Sequence, residues 1–386
     1  MTGAPPRGFP EAEFRARLAR AQALMAEEGL AALFLTTEPE IRYFTGYLTR
    51  FWESPTRPWF LLVPATGDPV AVIPAIGAHL MGQSWLSDIR TWQSPDYADD
   101  GIGLLAETIA ELIPAGGHIG TPSGHETHLR MPLADWGRLQ NALGSRQMTS
   151  DAGILRRLRL VKSQAEIDKI RAACAVADRA FTRVPEIAAP REPLERVFRR
   201  FQALCLEEGA DWVGYLAGGA GPGGYGDVIS PASERPLAEG DVLMLDTGVV
   251  RDGYYCDFDR NYAVGAPTPE VETAYARLLA ASDAAFDLAA PGRTAAELFH
   301  AMDAHLPGGA GGGRLGHGLG MQLTEWPSLI PADETVLEPG MVLTLEPGIE
   351  LTPGRIMVHE ENVVITETGA DYLSTPAPRT LPRLGG

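Results

Sequence analysis

From Asp241 onward, apolar strand-like runs are repeatedly interrupted by carboxylates. VLMLDTGVV carries Asp246, YYCDFDRNYAV carries Asp257, MVLTLE ends on Glu346, and MVHEENVVIT contains Glu360. A carboxylate in an apolar strand is costly to bury unless it is paired or cation-bound. Such a chain must bring these groups to a shared counter-charge or leave them on an edge. The first two flank Arg251-Asp252-Gly253, a hairpin signal. A turn closed by Arg251-Asp252 or by Asp252-Gly253 sets Asp246 opposite Asp257 or opposite Asp259. Because the pleat has a period of two, both registers put Asp246 and Asp257 on one face, whereas a three-residue loop separates them. Like charges on neighbouring strands destabilise a sheet unless something cationic lies between them. The hairpin alone leaves open whether a divalent metal neutralises the pair or one aspartate faces solvent.

His317 adds an imidazole, embedded in Gly316-His317-Gly318-Leu319-Gly320, where missing side chains let backbone approach a bound group. A single histidine is more often structural than a ligand. Four carboxylates with that histidine, each set against apolar surroundings, read together as a ligand set. Oxygen-rich donors with a single imidazole suit manganese, iron, cobalt or zinc.

At 386 residues the chain exceeds what one hydrophobic core usually serves, so two domains are expected. Glu11–Glu28 has helical apolar spacing, with Gly29 placed to end it. LAALFLT, IRYFTGYL, WFLLVPA and PVAVIPA follow as β-rich pieces interleaved with helices such as Gly103–Ile113, an α/β layer unit. A seam near Ser150–Arg159 divides an N-terminal domain, 1–155, from a C-terminal one, 156–386. The second opens on a helix from Lys162 to about Phe181, with Ser163 and Glu166 as a capping box. A helix ending at Gly209 comes next. GYLAGGAGPGGYGD then reads as a glycine-rich loop; with no Gly-Lys-Ser/Thr it is a poor phosphate cradle. The hairpin strands, helices over Glu270–Ala290 and Thr294–Ala304, and a final sheet complete an α+β domain.

A net charge of −18 argues against nucleic-acid or anionic-membrane partners. No apolar run approaches the roughly 18–20 residues of a membrane span, and MTGAPPRGFPEAEF lacks the apolar core of a secretory leader. Cys174, Cys205 and Cys256 are isolated, with no Cys-x-x-Cys spacing, which fits a reducing cytoplasm.

These residues carry a family resemblance. DVLMLDTGVVRDGYYCDFDRNYAVG resembles the Asp-x-Gly…Gly-Tyr-x-Ser-Asp-x-Thr-Arg-Thr stretch of the creatinase/prolidase/methionine-aminopeptidase family. GHGLG resembles its histidine motif, GMVLTLEPGIE its first glutamate motif and MVHEENVVIT its second, in the family's order. LRLVKSQAEIDKIRAACAVAD is similar to the helix that opens its catalytic domain, and IRYFTGY to an N-terminal signature of the Xaa-Pro peptidase branch. The resemblance implies a pita-bread catalytic domain preceded by a smaller creatinase-like α/β domain, and a homodimer. It implies two divalent ions (Mn, Co, Zn or Fe), one held by Asp246 and Asp257 and the other by His317 and Glu346, with Asp257 and Glu360 bridging. Glu346 would also accept and deliver a proton, and the substrate would be a small peptide cut before proline. Retention of all five positions argues against a metal-free enzyme and against relatives that have become binding proteins.

Two departures qualify that reading. The peptidase members usually carry two further histidines that steady the substrate; their places here fall at about Val228 and at Thr324. Loss of one oxyanion donor costs about 2.7–4 kcal/mol. Tyr215, Tyr225 and His359 are the candidate replacements. The alternative is a relative acting on a small osmolyte, as an ectoine-type amidohydrolase or a dimethylsulfoniopropionate lyase, whose subgroup EWPSL resembles in its acidic-aromatic character. The run Arg50–Trp59 is rich in Trp and Arg; Trp52 and Arg57 are expected to contact substrate, with Arg57 clamping a carboxylate bidentately. Accordingly, Arg57→Ala is expected to raise KM far more than it lowers kcat in steady-state assays.

Overall fold

The computed structural model describes residues 4–54, 57–310 and 313–385. Outside them lie Met1–Gly3, Pro55 and Thr56 of the Trp/Arg-rich run, Gly311 and Gly312 of the second glycine-rich stretch, and Gly386. Contacts divide the chain into two compact units, Pro6–Arg159 and the part from Leu160 onward.

The first unit is built on six strands: β1 (Ala32–Leu35), β2 (Phe60–Pro64), β3 (Val70–Pro74), β4 (Asp88–Trp92), β5 (His118–Thr121) and β6 (Gln147–Ser150), in the order β4-β3-β2-β1-β5-β6. The strands at its centre are buried throughout. Phe34, Phe60, Leu62 and Val72 pack with Ile102, Leu105 and Ile109 of a helix and Leu139 of another. The helix Glu11–Glu28 buries Phe14, Leu18, Ala21 and Met25, and Gly29 closes it at φ 67. IRYFTGY, expected as extended, is instead mostly helix, Glu38–Thr45. Local chemistry overrides its β-rich composition: Pro39 stands in the first turn with Glu38 and Glu40, and Gly46 supplies the left-handed terminus.

The second unit holds two sheets. One contains β7 (Trp212–Pro222), β8 (Asp241–Arg251), β10 (Phe258–Val264) and β18 (Arg383–Leu384), ordered β18-β10-β8-β7, with the short β9 (Tyr254–Tyr255) paired to β8. The other contains β11 (Gly316–Gly318), β12 (Glu325–Ser328), β13 (Val342–Leu345), β16 (Glu361–Ile365) and β17 (Ala370–Tyr372), ordered β12-β11-β13-β16-β17; β14 (Gly348–Thr352) and β15 (Arg355–Val358) form a hairpin. Leu343, Leu345, Val363 and Ile365 share a core with Leu278 and Ala285 of the helix Pro269–Leu288 and Leu298 of Ala295–Asp303. Phe258 packs on Phe181 of the helix Gln164–Thr182, which begins with the expected Ser163/Glu166 capping box.

The hairpin fixes what faces what. Asp252 (φ 51) and Gly253 (φ 77) form a two-residue left-handed turn. Val250 pairs with Tyr255 and, further along, Asp246 with Asp259. Of the two even-loop registers, the chain takes the one with Asp259 opposite Asp246. Asp252 is pinned by a buried ion pair with Lys169.

GYLAGGAGPGGYGD, expected as a loop, is largely strand, because β7 pairs with β8 from Trp212 to Pro222. Its glycines allow close approach. Gly218 has φ 145, and a Cβ there would stand 2.2 Å from the Met244 carbonyl oxygen. Gly218→Ala is therefore expected to destabilise the protein by about 3 kcal/mol or more, read as a fall in melting temperature.

Candidate metal centre

Two rows of side chains, one from each sheet, supply the chemistry. On the first, Asp246 stands across from Asp259, and Asp257, two residues earlier, shares that face. On the second, His317 is the neighbour of Thr344 and Thr344 of Asn362. Glu346 lies two residues past Thr344, and Glu360 two before Asn362. Both glutamates, expected within strands, stand at strand ends: Glu346 follows β13 and precedes Pro347, and Glu360 falls between β15 and β16. There the backbone leaves the ladder, and the carboxylates are free of the strict alternation of a pleat.

The five side chains converge. Ligand atoms of Asp257, His317 and Glu346 lie within 4.8 Å of one another, and so do those of Asp246, Asp257 and Glu360. Asp257 belongs to both groups. His317 Nε2 is 2.8 Å from Glu346 Oε1 and 3.3 Å from Asp257 Oδ2. Its Nδ1 lies 2.7 Å from the Gly318 carbonyl oxygen. That carbonyl accepts a hydrogen bond from Nδ1–H and leaves Nε2 directed at the carboxylates. Asp246, Asp257, His317 and Glu360 are buried; Glu346, with 16% of its side chain exposed, is the most open of the five.

The electrostatics follow from that crowding. Burial, reinforced by Asp257, Asp259 and Glu346, pushes the Asp246 carboxyl well above its ordinary range. Burial also raises Glu360, with Asp246, Glu346 and Asp257 adding to it. Asp257 rises through burial to about 6, with His317 opposing. Burial would raise Glu346 too, but the imidazole of His317 outweighs it and lowers the group. For His317 burial works against protonation, yet Glu346 and Asp257 lift it to about 10. Four carboxylates, three of them buried, thus share one imidazole, and Asp246 Oδ1 is buried with no hydrogen-bond partner. An orphaned acceptor in an anionic, oxygen-rich pocket is what a divalent cation fits.

The other predicted residues are distributed differently. Tyr215, on β7, borders the cluster: burial raises its phenol, and Asp246, Glu360, Asp257 and Glu346 add to the shift. Its hydroxyl donates to the carbonyl of Val228 at 3.0 Å, so this departure from the family pattern lies beside the site. His359 is not brought into the group. It is buried between Asp259 (Nδ1 to Oδ1, 3.7 Å) and Glu361 (Nε2 to Oε1, 3.4 Å). Tyr225 is likewise occupied, its hydroxyl bonded to Asn261 and to the Val358 amide. Trp52 and Arg57 belong to the first unit. Trp52 is buried against Tyr47 and Trp59, with Arg130 over its ring, and Arg57 is half-buried above Phe51.

Sequence reasoning missed Arg314. Its exposed guanidinium donates to Thr324 Oγ1 at 3.4 Å, at the second departure from the family pattern, and its charge reaches Asp257 and Glu346. It also gave no role to Asp259 and Asn362, although both sit two residues past a predicted ligand. Glu325 of EWPSL forms a buried ion pair with Lys162 at 3.1 Å, so its charge serves the fold.

Comparison with known proteins agrees with this geometry. The model of metallopeptidase family M24 matches residues 168–367, and that of the creatinase/prolidase N-terminal domain matches 17–161. A probable dipeptidase PepE of Mycobacterium tuberculosis is 33% identical over 372 residues, covering 94% of this chain and 95% of that protein. The chain belongs to metallopeptidase family M24. An Xaa-Pro dipeptidase of Pyrococcus furiosus is 33% identical over 233 residues, 57% of this chain and 65% of that one. Among solved structures, dipeptidase PepE from Mycobacterium ulcerans superposes with a TM-score of 0.84 at 31% identity, covering 98% of this chain and all (100%) of that one. A prolidase from Thermococcus sibiricus gives 0.85 at 23% identity over 96% and 99%, a likeness of fold. As an M24 member the protein is a metal-dependent hydrolase with a pita-bread catalytic domain and a creatinase-like N-terminal domain. No helix among the described residues is long and apolar enough to cross a membrane.

The raised carboxyls and the protonated His317 dictate how a metal binds. A carboxyl raised by folding stabilises the metal-free protein below its ordinary pKa, and that stabilisation is lost as pH rises through the folded value, about 6 for Asp257. Metal uptake must displace these protons and that of His317. Calorimetry of Mn2+ binding is therefore expected to show net proton release at neutral pH, and affinity rising from pH 5.5 to 8.

Proposed function

We propose that this M24 member is an Xaa-Pro dipeptidase that holds two divalent ions. The observation that carries the reading is the pair of overlapping three-residue ligand groups that share Asp257. Asp246 with Asp257 would hold one ion, His317 with Glu346 the other, and Asp257 and Glu360 would serve both. Divalent ions there supply Lewis acidity for water and for the scissile carbonyl.

The chain's own residues do the rest. Glu346 is lowered by His317 and partly open, so it is a carboxylate at working pH and able to accept a proton from the attacking water. As the water oxygen bonds to the carbonyl carbon and the carbon–nitrogen bond breaks, that proton passes to the departing amine. Tyr215 is held protonated with its proton on the Val228 carbonyl, and Arg314 brings a cation to the place of the second missing histidine.

The relatives matching nearly the whole chain include proteins named as dipeptidases, and one matching 57% of the chain is named an Xaa-Pro dipeptidase. Those names support a small-peptide substrate with proline after the cut. With Glu325 engaged by Lys162, the acidic-aromatic segment lends no weight to the osmolyte reading. A cytoplasmic homodimer belongs to the same proposal; the buried free thiols of Cys174, Cys205 and Cys256 are in keeping with a reducing compartment.

Protein loaded with Mn2+, Co2+, Zn2+ or Fe2+ is expected to hydrolyse Ala-Pro and Met-Pro and to leave ectoine and dimethylsulfoniopropionate intact. Activity on an osmolyte alone would overturn the proposal. Glu346→Gln is expected to lower kcat on Ala-Pro by about 100-fold or more, with metal content measured alongside.

A further inference from the structure

The two carboxylates proposed to be shared between the ions come from strands of different sheets, Asp257 next to β10 and Glu360 next to β16. What joins them is reciprocal. Asn362, two residues past Glu360, brackets the backbone of Asp257: its Oδ1 accepts from the Asp257 N–H at 2.9 Å, and its Nδ2 donates to the Asp257 carbonyl. The side-chain amide thus substitutes for the strand partner that Asp257 lacks. Asp259, two residues past Asp257, holds the backbone of Glu360, its Oδ1 accepting from the Glu360 N–H at 2.7 Å. Each ligand is gripped by the residue two places beyond the other.

Both grips are themselves fixed. Asn362 and Asp259 are fully buried. The Asn362 N–H donates to Ser374 Oγ at 3.0 Å, and Cys174 Sγ approaches Asn362 Oδ1 at 3.4 Å. Asp259 Oδ2 accepts from Asn261 Nδ2 at 2.9 Å. Arg260 closes the link from the backbone side, donating to the carbonyls of Asp259 at 2.6 Å and Glu360 at 3.0 Å. Groups buried and satisfied to this degree hold one geometry, and supporting hydrogen bonds of this kind govern how well a ligand set receives its ion.

We infer that Asn362 and Asp259 are positioning residues, a reciprocal clamp that sets the separation of the Asp257 and Glu360 carboxylates and so allows two divalent ions to be held side by side. The inference rests on the two-ion reading. Neither residue touches substrate; each acts through a backbone amide of a ligand.

The test uses Mn2+ as probe, with calorimetry for stoichiometry and affinity and electron paramagnetic resonance for magnetic coupling between ions. Wild-type protein is expected to take up two Mn2+ and give the spectrum of a coupled pair. Asn362→Leu and Asp259→Leu are each expected to weaken the second ion by about 10- to 100-fold and to give the spectrum of isolated Mn2+. Because one device is being broken twice, the double variant is expected to lose less than the sum of the singles. Asn362→Asp keeps the acceptor for the Asp257 N–H and loses the donor, so its loss should be smaller but measurable; it carries the test if the leucine variants do not fold. Folded variants that bind two coupled Mn2+ as the wild type does overturn the clamp alone. A wild-type protein that takes up one Mn2+ or none overturns the two-ion reading and the clamp with it.

Discussion

The mutual repulsion of Asp246, Asp257, Glu346 and Glu360 in a dry space is the constraint to which the catalytic unit is built. Elsewhere the unit matches buried acids with bases: Glu325 with Lys162, Asp252 with Lys169, Glu361 with Arg260 and Asp241 with Arg235. At the centre this matching stops, and one imidazole faces four carboxyls. Replacing buried ion pairs with apolar groups is often neutral, so nothing in folding requires so unbalanced a cluster. Its excess negative charge is a demand for cations, in a unit where those four other acids each meet a base. The surrounding geometry, from the two-residue turn to the break before Pro347, holds that imbalance in place.

How legible this was depended on the kind of signal. The hairpin was readable because turn chemistry and a two-residue period leave few registers, and the capping box at Ser163 because its spacing is local. The convergence of the five side chains was readable because carboxylates in apolar runs stand out against their neighbours. The helix at Glu38–Thr45 was hidden behind β-rich composition, though Pro39 and Gly46 marked its ends. β7 was hidden by its glycines, which look like loop residues until a partner strand presses against them. Asp259 and Asn362 could not be assigned, because their partners are backbone atoms about a hundred residues away in sequence and no local pattern announces such a bond.

Resemblance and geometry divided the work. A likeness at 23% identity with a TM-score of 0.85 speaks to the fold, and folds host many chemistries. At the two places where the family resemblance led to an expected histidine, Val228 gives its carbonyl to Tyr215 and Thr324 receives Arg314.

The grip between Asp257 and Glu360 also has a consequence in time. A ribosome delivers the hairpin with Asp246 and Asp257 about a hundred residues before Glu360. Until the segment with Glu360 and Asn362 is made, Asp257 has neither its partner carboxylate nor the amide that brackets its backbone. A site that needs both carboxylates would therefore be complete only once the last strands of the unit are in place.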